Sequence, residues 1–435
     1  MKDHALILSL LFLTACVSVP RDTNIANVEL RTDVRTTDDE RVRALLANEL
    51  TADNAVAIAL MNNPRLQATL AELGIARAEL IEASTIANPL LEIELRLPGE
   101  PYRPYELRLA QSLIDLFNLP RRRAIGRIAY DAAKLRINAE VLRFAADVRA
   151  KYYDALAASQ HVAQDRVLLE AAQTAAEVAV QQHAVENVTD LDLENEQARY
   201  DQAKLDLARA ERQLLVAREA LLRSMGLRDA TIEWRLPAQF PELPKSELDQ
   251  AQLEQLAAQQ RLDLKIAQRE IDIAQKQIPV ARLAALGGVE LDVHYEREPS
   301  GEHTVGPGLQ LPIPVFNTGR AARTRAEARY LRARHLMNAL GAETSSRLRA
   351  ANAALAEARA RVEYYRDVVL PRRQRSVELT KLEHNAMLIG IYQLLAARES
   401  EAMAESDFID AQREYWSARI DLDRALQGIT IEGDR

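Results

Sequence analysis

The feature that most constrains this chain is an internal repeat that runs through most of its 435 residues. Adding 198 to positions in the first half gives matching residues in the second half, such as Glu72 with Glu270. Towards the end of each copy the offset becomes 201, as in Ala210 with Ala411. The same kinds of predicted element also recur in the same order, which chance matching between alanine-rich helices would not produce. The chain is therefore predicted to be a duplication.

Each copy is predicted to contain a helix, an alternating β-hairpin, a very long helix and, after a turn, a last helix. The predicted ranges are 52–86, 88–114, 120–184 and 189–226 in the first copy, and 248–283, 287–315, 320–384 and 390–427 in the second. The copies as a whole are predicted to span 51–228 and 248–428, and a short tail covers 429–435. Between them, 229–247 is predicted to be a linker, because its three prolines break helices.

The first residues look like an export signal. Residues 5–15 are nearly all apolar, which is too short for a permanent membrane span and fits the central region of a signal peptide. The sequence Leu-Thr-Ala-Cys that ends at Cys16 resembles a bacterial lipobox. We therefore expect a signal peptide over 1–15, a covalent lipid on Cys16 and a polar lead-in over 16–50. The alternative is an ordinary signal peptide followed by an incidental cysteine.

The longest predicted helices carry the pattern of paired, supercoiled helices. At about 1.5 Å per residue, the helix predicted over 120–184 would be about 100 Å long. The last helix of the first copy has apolar residues every seven positions, which winds helices around each other. These are Leu193, Tyr200, Leu207, Leu214 and Leu221, with Ala203, Ala210 and Ala217 three positions after three of them; Phe408, Tyr415 and Leu422 repeat the pattern in the second copy. A soluble helical bundle or a filament would explain these helices equally well.

The four predicted strands alternate strictly between apolar and polar residues. The apolar series are Leu91, Ile93, Leu95 and Leu97; Leu107, Leu109 and Leu113; Val289, Leu291, Val293 and Tyr295; and Leu309, Leu311, Ile313 and Val315. The residues between them are densely charged, as expected for a water-filled lumen, and strands of about 8–11 residues can cross a bilayer at a tilt. Four strands cannot close a barrel, so a membrane sheet requires an oligomer of two, three or more chains. The alternative is a half-buried sheet in a soluble protein.

Composition and motifs exclude several classes of function. The formal net charge is −8, which argues against nucleic acid as a partner, because phosphate binding needs a basic face. Cys16 is the only cysteine, so disulfides and cysteine metal sites are excluded. No two of the seven histidines lie at helical ligand spacing, and the sequence has neither a phosphate loop nor a nucleophile elbow. We therefore predict no enzyme activity, no metal site and no cofactor.

Several stretches resemble the TolC-type outer membrane efflux proteins, and the resemblance covers essentially all of residues 50–428. The stretch from Leu311 to Arg320 is similar to the strand-to-helix crossing of that family's second copy. Residues 115–118, which three arginines follow at 121–123, are similar to the crossing of the first copy. The resemblance implies a fold that is mainly α with a small β part. In it, long antiparallel coiled-coil helices form an α-barrel that a membrane β-barrel continues.

The resemblance also implies a function and a set of partners. Three chains of four strands would form a twelve-stranded barrel in the outer membrane, and the helices would form a tunnel across the periplasm. We expect a homotrimer that is the passive exit duct of a tripartite efflux pump, held in outer-membrane lipid. The expected partners are a periplasmic adaptor protein and an inner-membrane pump of the RND or ABC type.

The alternative function is a periplasmic structural or scaffolding lipoprotein without channel activity. For a duct, metal ions are the favoured cargo, because 311–317 is similar to the heavy-metal branches of the family. Drugs and other small organic molecules stay open as cargo.

In that family the turns between the paired long helices form the periplasmic aperture. Here those turns are predicted at about 185–191 and 385–391. Alignment through nearby residues of the last helix places Asp192 where the family carries an aperture carboxylate. Three copies of Asp192 would form an acidic ring that attracts cations. The alternative is that Asp190 and Asp192 only stabilise the start of their helix.

Three further residues near the predicted turns are candidates for the aperture. Tyr392 stands where TolC itself carries an acid, which puts an inherited salt-bridge latch in doubt. His183 and His384 lie 201 positions apart, so they are equivalent in the two copies. They either contact a metal cargo or titrate near neutral pH, or they are solvated residues at helix ends.

Overall fold

The structure is a computed structural model, and it describes residues 40–95, 103–227, 234–284 and 287–429. The predicted signal peptide, Cys16, the lead-in up to residue 39, Leu97 and the tail from residue 430 lie outside the described residues. The helices are α1 (Glu40–Leu46), α2 (Ala52–Asn62), α3 (Pro64–Ser84), α4 (Leu113–Ala184), α5 (Asp190–Met225), α6 (Gln250–Gln260), α7 (Leu262–Arg282), α8 (Arg320–Tyr364), α9 (Leu370–Asn385) and α10 (Ile391–Gln427). The strands are β1 (Leu90–Leu95), β2 (Tyr105–Ser112), β3 (Glu290–Arg297) and β4 (His303–Gln310).

The described residues form helices and one four-stranded antiparallel sheet, so the predicted fold class, mainly α with a small β part, is confirmed. They divide into two compact units. The described residues of the first unit lie in Leu70–Ile137 and Leu264–Leu340, and those of the second lie in Thr32–Thr69, Asn138–Asp263 and Gly341–Arg435. In this part of the chain, no helix combines the length and the apolar character needed to cross a membrane.

The sheet lies in the first unit and has the strand order β1-β2-β3-β4, with every neighbouring pair antiparallel. The alternating pattern predicts a fourth strand that continues to Val315, and this is wrong, because β4 ends at Gln310. Pro312 and Pro314 have no amide hydrogen to donate to a strand ladder. The chain therefore leaves the sheet before it reaches them.

The long helices differ from the prediction at two places. α4 begins at Leu113 rather than at residue 120 and contains Pro120. The second long helix is interrupted by a π-helical turn, Tyr365–Val369, which separates α8 from α9. Pro371 follows this turn, and a proline inside a helix removes one backbone hydrogen bond and crowds the carbonyl group four residues before it.

In each copy, two helices replace the predicted first helix. The single helices predicted over 52–86 and 248–283 are therefore wrong, because each is interrupted at one residue. Asn63 separates α2 from α3 and donates from its side chain to the Ser224 carbonyl oxygen at 2.8 Å. Arg261 separates α6 from α7 and donates to the Ala425 carbonyl oxygen at 2.8 Å. Both bonds satisfy carbonyl groups at a helix C-terminus, where the helix itself supplies no partner.

Two hydrophobic clusters hold the second unit together. The first includes Val148 and Leu156 of α4 and Leu221 of α5. The second includes Leu355 of α8 and Tyr415 of α10, and the Tyr415 hydroxyl donates to Glu247 Oε1 at 2.6 Å. Leu221 and Tyr415 are fully buried members of the predicted seven-residue pattern, so the pattern faces the core at these two positions.

Candidate functional site

One face of the sheet is apolar and uncovered. Its exposed side chains are Leu91, Ile93, Leu95, Leu109, Leu291, Val293, Val305 and Leu309. Near the β3–β4 turn the rings of Tyr105 and Tyr295 stack with their centroids 5.8 Å apart, and Tyr295 also stacks on His303. An uncovered apolar surface of this kind marks contact with lipid or with a partner, and aromatic residues favour the edge of a lipid layer.

The opposite face of the sheet carries a charged network. Arg108 of β2 donates to Asp292 Oδ1 at 3.2 Å and to Gln310 Oε1 at 2.8 Å, and it lies 3.6 Å from Glu92. One guanidinium therefore joins side chains from all four strands. Asp292 is buried because Gly308 leaves room for it: a Cβ atom at Gly308 would overlap the Asp292 carboxylate. The predicted polar face is present, and its central charges are paired.

Within the described residues, both edges of the sheet are open. β1 pairs with β2 alone, and β4 pairs with β3 alone. Each edge strand thus presents backbone N–H and C=O groups without a strand neighbour. Because four strands are too few to close a barrel, closure requires strands from outside this sheet.

The first helix turn, residues 185–189, leads into α5 through a capping box. The hydroxyl and the amide of Thr189 donate to Asp192 Oδ2 at 2.7 Å and 3.1 Å, and the Asp192 amide donates to the Thr189 hydroxyl at 3.2 Å. The bonds from the side chain and then the backbone of Thr189 lower the pKa of the Asp192 carboxyl below its ordinary value. Asp192 is exposed, so it caps the helix and also presents a negative charge to solvent.

His183 and Asp190 face each other across the same turn. Nε2 of His183 lies 2.7 Å from Oδ1 of Asp190. The Asp190 side chain is 94% exposed, so this contact ties the end of α4 to the start of α5 in full view of solvent. Such an exposed contact contributes little stability. Asp190 also stabilises α5, because its negative charge lies at the N-terminus of that helix.

The second helix turn, residues 386–390, follows the same backbone course as the first. Met387 has a φ angle of 59°, and Glu186, at the equivalent place in the first turn, has one of 60°. Each of these residues donates its amide to the carbonyl oxygen of the histidine three positions before it, at 2.9 Å. The entry into α10 differs, because the N-cap is Gly390, which has no side chain to bond the helix. His384 Nδ1 donates instead to the Ile389 carbonyl oxygen at 3.2 Å.

Tyr392 connects the two turns. Its hydroxyl donates to Gln182 Oε1 at 3.4 Å. Burial, and then the negative charges of Glu196 and Asp192, raise the pKa of the Tyr392 hydroxyl. The structure therefore brings Tyr392 and Asp192 into one electrostatic environment, whereas His183 and His384 each bond within their own turn.

Sequence reasoning missed Glu196, which is a buried carboxylate close to the turns. Arg199 lies 3.9 Å from it and 3.8 Å from Glu399. The signal was present in the sequence, since Glu196 precedes Ala203 by seven positions and so takes the place that alanine fills along the rest of α5. A carboxylate at a helix-packing position costs stability unless a charged partner lies near it.

The turns offer exposed charge rather than a ligand cage. Among the described residues, no group of three or more histidine, cysteine, aspartate or glutamate side chains is arranged to hold a metal ion. Exposed carboxylates such as Asp190 and Asp192 raise the local concentration of cations at a surface.

Comparisons with known proteins find similarity to outer membrane efflux proteins. Residues 253–428 match the family described as outer membrane efflux protein. The chain is 26% identical over 387 residues to the cobalt-zinc-cadmium resistance protein CzcC of Cupriavidus metallidurans, and the match covers 86% of each protein.

Solved structures share the fold. A membrane protein from Pseudomonas aeruginosa superposes with a TM-score of 0.71 at 23% identity, over 92% of this chain and 97% of that one. The Campylobacter jejuni CmeC outer membrane channel superposes with a TM-score of 0.71 at 16% identity, over 88% of this chain and 87% of that one. The resemblance predicted from the sequence is confirmed.

Proposed function

We propose that this chain belongs to the outer membrane efflux proteins and is the exit duct of a tripartite efflux pump. The duct conducts its cargo passively, and the chain itself performs no enzymatic reaction and needs no cofactor. The observation that carries the proposal is the sheet, which has one uncovered apolar face, one charged face and two open edges.

The sheet supports a membrane wall that several chains build together. An apolar outer face and a charged inner face match the two sides of a barrel that separates lipid from water. Open strand edges are not tolerated in lipid, so β4 of one chain must pair with β1 of the next. The family resemblance implies three chains, which gives a homotrimer with twelve strands.

The duplication supports the internal plan of each subunit. The proposed copies are 51–228 and 248–428, joined by the linker 229–247. The similar turns at Glu186 and Met387, and the similar helix breaks at Asn63 and Arg261, favour this division.

We propose that the subunit is exported and anchored in the outer membrane. A signal peptide over 1–15 is removed, and Cys16 then carries a lipid ahead of the lead-in 16–50. The lipid adds apolar surface that holds the chain at the membrane, and the sheet supplies the rest. The helices extend into the periplasm, where the duct meets a periplasmic adaptor protein and an inner-membrane pump of the RND or ABC type.

We propose that the two helix turns form the periplasmic aperture of the duct. Three copies of Asp192 form an acidic ring there, with Asp190, His183, His384 and Tyr392 beside it. The hydrogen bonds from Thr189, which lower the pKa of Asp192, favour its ionised form and so support the ring. An acidic ring favours cations. Together with the similarity to CzcC, a cobalt-zinc-cadmium resistance protein, this supports divalent metal ions as cargo rather than drugs.

Reconstitution of the full-length chain tests the proposal. We expect a detergent-dependent trimer by light scattering, and discrete conductance steps in planar bilayers. A matched pair of variants tests the wall, since the neighbours Val293 and His294 point to opposite faces of β3, further from the β3–β4 turn than Tyr295. Val293→Lys should reduce membrane assembly strongly, because a lysine facing the middle of the lipid costs about 2–4 kcal/mol, whereas His294→Lys, on the charged face, should assemble normally.

The rival function is a periplasmic scaffolding lipoprotein whose sheet never enters the membrane. A protein that stays monomeric and water-soluble without detergent, and that gives no conductance, would establish that rival. Equal assembly of Val293→Lys and His294→Lys would also contradict the proposed wall.

A further inference from the structure

The long helices of the two copies bury residues at equivalent positions through much of the second unit. Three pairs of buried residues lie 200 positions apart: Val148 with Leu348, Ala155 with Leu355, and Val162 with Val362. Their exposed fractions lie between 0% and 3%. An offset of 200 therefore describes the equivalent positions of α4 and α8 up to Val362.

Nearer the helix turns the offset is 201. Ala176 of α4 and Val377 of α9 are buried, with exposed fractions of 7% and 3%, whereas Ser376 is exposed. The left-handed residues Glu186 and Met387 keep this offset of 201. The second copy thus has one residue more than the first between Val362 and Val377.

The π turn lies inside this interval. In a π turn the hydrogen bonds join residues five apart instead of four, so one turn contains an additional residue. α4 has no such turn in the equivalent stretch and continues as regular α-helix to Ala184. Pro371 fits the same place, because it cannot donate to Asp367 and therefore favours a widened turn around that carbonyl group.

The turn is also attached to the neighbouring helix. The Tyr365 hydroxyl donates to Asp407 Oδ2 of α10 at 3.2 Å. On the preceding turn, Arg361 forms an ion pair with Glu414 of α10. The widened turn therefore lies at a fixed position along α10.

We propose that the π turn positions the second helix turn. It accommodates the extra residue of the second copy, so the residues that follow it keep their orientation about the helix axis. In a regular α-helix the extra residue would rotate the following segment by about 100°. Val377 would then leave the core, and His384 and Tyr392 would face another direction. The proposal rests on the packing of the helices and not on the proposed function.

A pair of single-residue deletions tests this directly, because Val167 and Val368 are valines at equivalent positions. Deletion of Val368 together with Pro371→Ala should convert the second helix into a regular α-helix that stays in phase. A cysteine placed at Val377 should then remain protected from a maleimide reagent, as in the parent. α4 contains no additional residue, so deletion of Val167 should move the buried Ala175 to the exposed place of Thr174, and a cysteine at Ala175 should lose its protection. Pro371→Ala alone is the control, and the parent chain gives the background from Cys16.

The outcomes are separable. Labelling at position 377 in the Val368 deletion, or continued protection at position 175 in the Val167 deletion, would overturn the proposal. If a deletion variant does not fold, single cysteines in the otherwise intact chain still decide the question. We expect protection at Val362 and Val377 and labelling at Ser376; protection at Ser376 instead of Val377 would mean that no extra residue is taken up.

Discussion

Tyr392, at the start of α10, donates a hydrogen bond to Gln182, near the end of α4, across 3.4 Å. The two residues belong to different copies of the repeat, so this bond joins the ends of two separate helix pairs. It is long for a hydrogen bond and only partly buried, so it contributes little energy by itself. Because it is a single, partly exposed bond between side chains, it can open without unfolding either helix.

Tyr392→Phe removes this bond and keeps the ring. We expect amide hydrogen exchange around 183–187 and 387–391 to speed up by up to about fivefold, because one neutral hydrogen bond contributes about 1 kcal/mol. Mass spectrometry of the exchanged peptides measures the effect. Tyr364→Phe, at an exposed tyrosine of α8, is the control and should change nothing there. Equal exchange in both variants would show that the turns are held by other contacts.

Asp192→Asn should lower the cation preference of single channels, because it removes one charge per subunit from the proposed acidic ring. Asparagine still offers an oxygen to Thr189, so the cap of α5 should persist. The reversal potential in a salt gradient gives the selectivity. Asp201→Asn, at an exposed acid that pairs with Lys204 further along α5, is the matched control. A reversal potential that is the same in wild type and Asp192→Asn would remove the acidic ring from the proposal.

The cation preference should persist when the pH is lowered to about 5, since the pKa of Asp192 lies below the ordinary value for a carboxyl group. By linkage, a carboxyl group whose pKa is lowered in the folded state is ionised at every pH above its ordinary pKa, and the stability that its ionised form contributes is then fully present. The ionised form and this stability are lost only as the pH falls through the lower, folded-state value. Reversal potentials measured from pH 7 downwards, in wild type and in Asp192→Asn, test this. A loss of preference well above pH 5 that Asp192→Asn abolishes would contradict it.

Gly226→Ala should destabilise the second unit. Gly226 ends α5 with a φ angle of 74°, and a Cβ atom there would lie 2.6 Å from the Asn62 carbonyl oxygen. The left-handed backbone alone costs a non-glycine residue about 1–2 kcal/mol, and the clash adds to it. Thermal unfolding followed by circular dichroism in detergent should show a lower midpoint.

The control is Gly74→Ala, because no atom lies within 4 Å of a Cβ atom at Gly74 inside α3. This change should leave the midpoint unchanged or raise it slightly, since alanine is favoured over glycine in a helix by up to about 1 kcal/mol. A similar fall of the unfolding midpoint in both variants would show that neither the left-handed backbone nor the clash explains the effect at Gly226.

The sequence by itself determined the class of elements and their order. A period of two in the strands and of seven in the last helices depends on which side chains must share a face, and that is a property of the sequence alone. Asp190 at a helix start is equally readable, because Thr189 and Asp192 have the spacing of a capping box.

Only the tertiary structure decided where that regularity ends. The helix breaks at Asn63 and Arg261 exist because their side chains reach carbonyl groups about 160 positions away, at the ends of α5 and α10. The π turn before Pro371 exists because buried residues before and after it must face the same side of the helix. The contact of Tyr392 with Gln182 depends on where the two helix pairs lie relative to each other. Such features arise from contacts between distant parts of the chain, which no local pattern encodes.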